Sequence, residues 1–239
     1  MAVQPWRKGI ITRIETEAHN TKRFWIQVPE VEIFDFKAGQ FVTLDLPIHE
    51  KPAKRWRSYS IASWPDGTNT FELLIVLMEG GAGTTHIFNE WKINSEITFR
   101  GAQGVFLLPE PLDKDVFLIC TGTGIAPFRS MLHYVEEHNV PHKNIYLIFG
   151  TRRKENLLYY NELTALTARM PNLHYLPTLS REEWEGKKGY VHQIYEGLIE
   201  TKQPAIFMLC GWKDMIDEAR RRITDAGYDR KAIHLEVYG

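Results

Sequence analysis

The sequence predicts two domains in series, an antiparallel β-barrel followed by an α/β domain on a parallel sheet. Three observations carry this. Up to "LLPEPLDKD" (Leu107–Asp115) the chain reads as short strands separated by turn signals. In that stretch Pro109, Pro111 and a cluster of charges mark a change of pattern. Beyond it, apolar runs alternate with helical segments, and continuous apolar strands between helices imply a parallel sheet covered on both faces. The expected domains are residues 1–111 and 112–239.

In the first half the strand candidates are "GIITRIETEA", "TKRFWIQV", "QFVTLDL", "RSYSIAS", "TFELLIVLM" and "SEITFRGA". "FKAGQ", "WPDGTN" and "EGGAGTT" read as the turns between them. In the second half "VFLICTG" precedes a helix over 126–137, and "IYLIFG" one over 157–168. "NLHYLPTLS" is followed by a helix over 191–199 and "AIFMLCG" by one over 213–225; "IHLEVY" is the last strand.

Composition narrows the function. The 239 residues are 44% hydrophobic and 25% charged, with a formal net charge of −1. That balance suits a globular protein and gives no case for nucleic acid. No run approaches the roughly 18 apolar residues of a membrane span, and "MAVQPWRKGI" has no apolar core of a secretion signal. Cys120 and Cys210 are the only cysteines, too few for a disulfide scaffold or a four-cysteine iron–sulfur cluster. A reducing, cytoplasmic setting is expected. His138 and His142 are four apart, but Pro141 interrupts the helix that would align them, so no metal is expected.

Three stretches carry chemistry. "CTGTGIAPFRSML" sets glycines between an apolar strand and a helix, where close backbone approach and free N–H groups suit a phosphate. It also describes an ordinary strand-to-helix turn, and it is not the full G-x-G-x-x-G pattern. "LIFGTRRKENLLYY" puts Arg152 and Arg153 after the second strand, where an NAD reader usually has an acid and an NADP reader an arginine. "LSREEWEGKKGYVHQ" adds Ser180, Arg181, Lys187, Lys188 and Tyr190, diluted by Glu182, Glu183 and Glu185. Two basic loops at successive strand ends favour NADP(H). In "KRWRSYSIAS" strand alternation turns Arg57 and Tyr59 to one face and Ser60 to the other. An arginine beside an aromatic could hold a phosphate and cover a planar ring, or be a cross-strand pair beside a surface cation.

"RSYS" with "IAS", then "GGAGTTHIF", "TGTGIAPF", "CGWKDM" and terminal "EVY" occur in the order of the ferredoxin (flavodoxin)–NADP reductase family. The chain resembles that family from "FKAGQF" to Tyr238, and "GTGIAPFRS" is similar to the plant-type members. The resemblance implies a barrel that binds FAD and a Rossmann-like domain that binds NADP(H). Arg57 would pair with the FAD pyrophosphate, Tyr59 stack on the flavin ring, and Ser60 hydrogen-bond near flavin N5. Gly81, Gly83 and Thr84 match the second flavin motif. Tyr238 would cover the other flavin face, although Gly239 follows it. Gly122, Thr123 and Gly124 would serve the NADP pyrophosphate and nicotinamide. Arg152, Ser180, Arg181, Lys188 and Tyr190 would serve the 2′-phosphate and adenine. Ser60, Cys210 and Glu236 would surround hydride transfer.

The expected activity is a FAD reductase passing electrons between NADPH and a one-electron carrier such as ferredoxin or flavodoxin. Lys51, Lys54 and Arg55 offer a basic rim for an acidic carrier. The alternatives are the reductase component of an oxygenase system, an NAD(P)H–flavin reductase, a non-catalytic flavoprotein adaptor and an NADP-sensing module.

Overall fold

A computed structural model describes residues 4–238. They form two compact units: residues 4–107 together with Arg129–Tyr134, and Leu108–Phe128 together with residues 135–238.

The first unit is built on β1 (Trp6–Ala18), β2 (Thr21–Gln27), β3 (Phe41–Asp45), β4 (Trp56–Ser60), β5 (Thr70–Val76) and β6 (Glu96–Gln103). They pair antiparallel in the order β4-β3-β6-β1-β2-β5. Ile61 bridges Leu73, and Ala62 N–H donates to Glu72 O at 2.8 Å, so the two ends of the sheet meet and the barrel closes. Closure removes the exposed edges that an open sheet would present. Phe24, Phe34, Phe71 and Phe99 fill the interior, with Phe34 and Phe71 ring centres 5.0 Å apart. All the expected strands of this half form, each within a few residues of its expected bounds.

Two helices were not expected here. Pro52–Arg55 is a single turn, α1. "GGAGTT" is not a turn: Gly81 is the N-cap of α2 (Ala82–Glu90).

The second unit alternates as expected: β7 (Asp115–Thr121), α3 (Ala126–Glu137), β8 (Ile145–Thr151), α4 (Tyr160–Arg169), β9 (Leu173–Leu179), β10 (Lys187–Lys188), α5 (Val191–Leu198), β11 (Ala205–Trp212), α6 (Lys213–Asp225) and β12 (Ile233–Tyr238). The middle of α3 counts with the first unit. Helix α4 starts later than its periodicity suggests, because Lys154–Asn156 forms a 3-10 turn and Tyr159 sits at φ +53°. A tyrosine in left-handed backbone breaks the helical run.

The strands are parallel in the order β10-β9-β8-β7-β11-β12. From β7 the chain builds outward through β8 and β9, then returns to place β11 on the other side of β7. That reversal opens a crevice beyond the carboxyl ends of β7 and β11, where open α/β sheets receive ligands.

Candidate active site

In the barrel, β4 lies against β3 with Leu44 opposite Arg57, Val42 opposite Tyr59 and Phe41 opposite Ser60. Arg57 and Tyr59 therefore share the face of the core residues Val42 and Leu44, and Ser60 takes the other, as expected. Burial pushes the Tyr59 hydroxyl up to about 12, with the Arg57 charge pulling slightly the other way. Tyr59 is thus a neutral ring and hydrogen-bond donor at physiological pH. Ser60 is buried.

Arg57 Nη1 donates to Trp56 O at 2.8 Å and to Lys54 O at 3.1 Å, which fixes the guanidinium against its own turn. A β-carbon on Gly83 would lie 3.2 Å from Arg57 Cγ and 3.3 Å from Nε. The missing side chain is what lets the arginine lie against the first turn of α2. Gly81, the N-cap, offers no side-chain acceptor to that turn. Open N–H groups beside a guanidinium form a cradle for a diphosphate, so these residues fit FAD.

Thr84 does something the resemblance did not imply. Its hydroxyl accepts from Met78 N–H at 3.1 Å and donates to Gly81 O at 3.2 Å, so it ties the loop to the helix start. The basic rim is smaller than expected: Arg55 is forked onto Asp45, with Nε to Oδ1 at 2.6 Å, which leaves Lys51 and Lys54 as its exposed cations.

In the second unit, Gly122–Ile125 forms a 3-10 turn between β7 and α3. Gly122 is at φ +54° with open space around it, a conformation glycine adopts freely. Gly124 has a packing reason instead: any β-carbon there would strike the Cys210 carbonyl. Gly211 is at φ +136°, and its β-carbon would lie 2.6 Å from Thr121 Oγ1. The Thr121 hydroxyl is buried with no hydrogen-bond partner. An unsatisfied hydroxyl at the mouth of this crevice, flanked by close-packed glycine backbone, fits a polar ligand such as a dinucleotide.

Cys210 is fully buried on β11, in register with Cys120 on β7 and with Glu236 on β12. Burial above all, then Glu236 and Cys120, push its thiol well above the ordinary range, and a hydrogen bond from Tyr238 offsets part of this. Cys210 is therefore a thiol and not a thiolate. The structure brings Cys210, Glu236 and Tyr238 together; Gly239 lies outside the described residues. Trp212, at the end of β11 and in register with Tyr238, is 53% exposed beside them, and sequence reasoning missed it. An aromatic directly after a strand-ending glycine was the available signal.

The basic loops do meet. Ser180 N–H donates to Thr151 O and Arg181 N–H to Arg152 O, both at 3.0 Å, so the ends of β8 and β9 run together. Lys187 and Lys188 pair alongside β9, and Tyr190 follows, 67% exposed. The acids are more than diluents: Glu183 holds Lys188, and Glu185 holds Lys154 at 2.8 Å. Lys188 is exposed but paired with Glu183, whereas Arg152, Arg153, Arg181 and Lys187 are exposed with no ion pair to an acid among the described residues.

Residues 8–107 match the model of the oxidoreductase FAD-binding domain and residues 118–221 that of the oxidoreductase NAD-binding domain. Ferredoxin–NADP reductase B of Sorangium cellulosum is 34% identical over 217 residues, covering 86% of each chain. The chain belongs to the ferredoxin–NADP reductase family. It is an FAD- and NAD(P)-dependent oxidoreductase. The solved ferredoxin–NADP reductase of Neisseria gonorrhoeae, with bound FAD and NADP, superposes with a TM-score of 0.81 at 26% identity, covering 97% of this chain and 98% of that one. The family also reaches oxygenase systems: the anthranilate 1,2-dioxygenase electron transfer component of Acinetobacter baylyi is 27% identical over 96% of this chain, which spans 66% of that protein. No helix among the described residues is long and apolar enough to cross a membrane.

Proposed function

We propose that this reductase prefers NADP(H) and exchanges electrons with a one-electron carrier protein such as ferredoxin or flavodoxin. The observation that carries the coenzyme preference is the meeting of Arg152 and Arg181 at the joined ends of β8 and β9, with exposed Arg153 and Lys187 close by in sequence. That contact joins their backbones, and two exposed arginines carried on one loop edge can each offer a phosphate the fork geometry of a guanidinium. Ser180 adds a hydroxyl there and Tyr190 a ring for adenine.

FAD, when bound, accepts two electrons from a nicotinamide and releases them singly. The protein's part is to bind and orient. Arg57, Gly81, Gly83 and the first turn of α2 hold the diphosphate. Tyr59 supplies a stacking face and Ser60 a hydroxyl on the opposite side of β4. In the second unit Gly122, Thr123 and Gly211 admit the dinucleotide backbone, and Gly124 keeps β11 close enough to form the crevice. Cys210 stays protonated and apolar beside the nicotinamide, and Glu236 sets a carboxyl group next to it. Tyr238 offers a ring at the end of β12, with its hydroxyl anchored on Cys210. Two buried, unbridged thiols suit a reducing compartment and support a cytoplasmic setting.

A second reading, service as the reductase of an oxygenase system, is favoured by the likeness to the Acinetobacter component. Stopped-flow absorbance separates the two. The holoenzyme is reduced with NADPH or NADH and then mixed with oxidised ferredoxin, flavodoxin or an oxygenase component. Faster flavin reduction by NADPH and rapid reoxidation by ferredoxin or flavodoxin support the proposal. Preference for NADH, or reoxidation by the oxygenase component alone, overturns it.

A further inference from the structure

The second unit contains a buried polar cluster that the proposed chemistry does not use. His192, in the first turn of α5, is only 5% exposed. Its Nδ1 lies 3.0 Å from the Tyr195 hydroxyl, itself fully buried, and its Nε2 lies 3.4 Å from Glu218 Oε2 on α6. Arg222 continues the chain, 2.7 Å from Glu218 and 2.8 Å from Glu196. One imidazole thus joins α5 to α6, with the carboxylates on both helices tied by one guanidinium.

The same turn of α5 carries Tyr190. Tyr190 is the N-cap, and its backbone N–H donates to Gln193 Oε1 at 3.2 Å. Gly189, at φ +94°, leaves no room for a β-carbon beside that Gln193 amide. Val191 is buried, and a β-carbon on Gly150 of β8 would lie 2.7 Å from Val191 Cγ1. Three side chains anchor this turn below the surface: Val191 against β8, His192 against α6 and half-buried Ile194 against the core. Val191 is a smooth apolar contact that limits height but not rotation. His192, whose Nδ1 bonds the Tyr195 hydroxyl and whose Nε2 faces Glu218 at 3.4 Å, gives the turn a directional contact with α6.

We infer that His192 is a positioning residue for coenzyme binding: it fixes the first turn of α5 and thereby the direction in which Tyr190 presents its ring. This rests on the reading that Tyr190 receives the adenosine end of NADP(H). Neutral imidazole suits the task, because Nδ1 can accept from the Tyr195 hydroxyl while the Nε2 side faces the Glu218 carboxylate. Exposed aromatic side chains lose stacking when their backbone is free to rotate, so the contribution is one of preorganisation.

The test is calorimetric titration of the FAD-loaded full chain with 2′-phospho-AMP, which lacks nicotinamide. Four proteins are compared: wild type, Tyr190→Ala, His192→Leu and the double variant. Tyr190→Ala and His192→Leu are each expected to weaken binding about fivefold, with no further loss in the double variant. His192→Gln, which keeps a donor toward Glu218, is expected to recover most of the affinity. If Tyr190→Ala binds like wild type, the adenosine assignment itself is wrong. If Tyr190→Ala weakens binding and His192→Leu does not, the positioning role is wrong. A full, additive loss from His192→Leu in the Tyr190→Ala background also overturns it. Glu218→Ala, which removes the acceptor, covers the case in which His192→Leu does not fold, since Glu218 is substantially exposed. It is expected to reproduce the fivefold loss, and wild-type binding by it counts against the proposal.

Discussion

Gly83 sits where any side chain would press on Arg57, 3.2 Å from its Cγ. The contact makes a glycine in α2 and a cation on β4 one device, in which the helix start and the guanidinium face the same ligand.

Gly83→Ala is therefore expected to displace Arg57 and weaken FAD retention about tenfold, in line with loss of one charge-assisted hydrogen bond. Equilibrium flavin fluorescence measures it. Gly197→Ala is the control: this glycine lies within α5 with open space around it, so alanine should stabilise by about 0.5–1 kcal/mol. Unchanged FAD affinity in Gly83→Ala would remove the cradle.

Arg181→Ala should lower kcat/KM for NADPH at least about tenfold and leave NADH within about twofold. Lys188→Ala should cost less, because Glu183 already occupies that ammonium. Steady-state kinetics with both coenzymes decides it; equal losses with NADPH and NADH would take Arg181 out of the phosphate site.

Glu72 is buried between two guanidinia: Arg23 Nε lies at 2.7 Å and Arg129 Nη1 at 3.1 Å. Arg129 also donates to Ala62 O at 2.8 Å. Glu72→Gln strips the charge from a dry site while both arginines remain, a change expected to cost about 3–5 kcal/mol. Chemical denaturation of the holoenzyme measures the loss, and a cost below about 1 kcal/mol would mean that water reaches the pair.

Desolvation holds the His192 imidazole below its ordinary value of 6.5, against the opposing pull of Glu218 and Glu196. Arg222 and Arg221 push the same way as burial. As pH falls through 6.5 the unfolded chain takes up this proton before the native one does, so native stability declines toward acid. The denaturation midpoint of wild type should drop between neutral and mildly acidic pH more than that of His192→Gln. Parallel profiles would assign the acid sensitivity elsewhere.

Burial raises the thiols of both Cys120 and Cys210. Neither should react with a disulfide reagent at pH 8 on the timescale of minutes in the native holoenzyme, and both should react on unfolding. Rapid native labelling of either would show that the sheet opens at its centre.

Much of this architecture is legible in the amino-acid order. Period-two runs such as "EITFRG" and apolar runs such as "VFLIC" announce strands of the two kinds, and Ala126–Glu137 and Lys213–Asp225 are helices to the residue. Helix α2 was hidden because glycines in its first turns read as loop, and its stability comes from packing of Ile87 and from the approach of Gly83 to Arg57. The Glu72–Arg129 pair was invisible for another reason: 57 residues separate its members, and no local pattern records a contact made only by the closed fold. Within the site, residue types were readable and their engagements were not. Nothing in "SREEWEGKK" says which lysine keeps its charge available; the fold hands Lys188 to Glu183 and Lys154 to Glu185.

That allocation shapes how a coenzyme arrives. With acids interleaved among the cations, the lobe projects little net field past a Debye length, so a distant phosphate is drawn in only weakly. Discrimination is exercised at contact, by guanidinia that a ligand meets after it has landed. Raising ionic strength should accordingly shorten the residence of NADPH far more than it slows its capture.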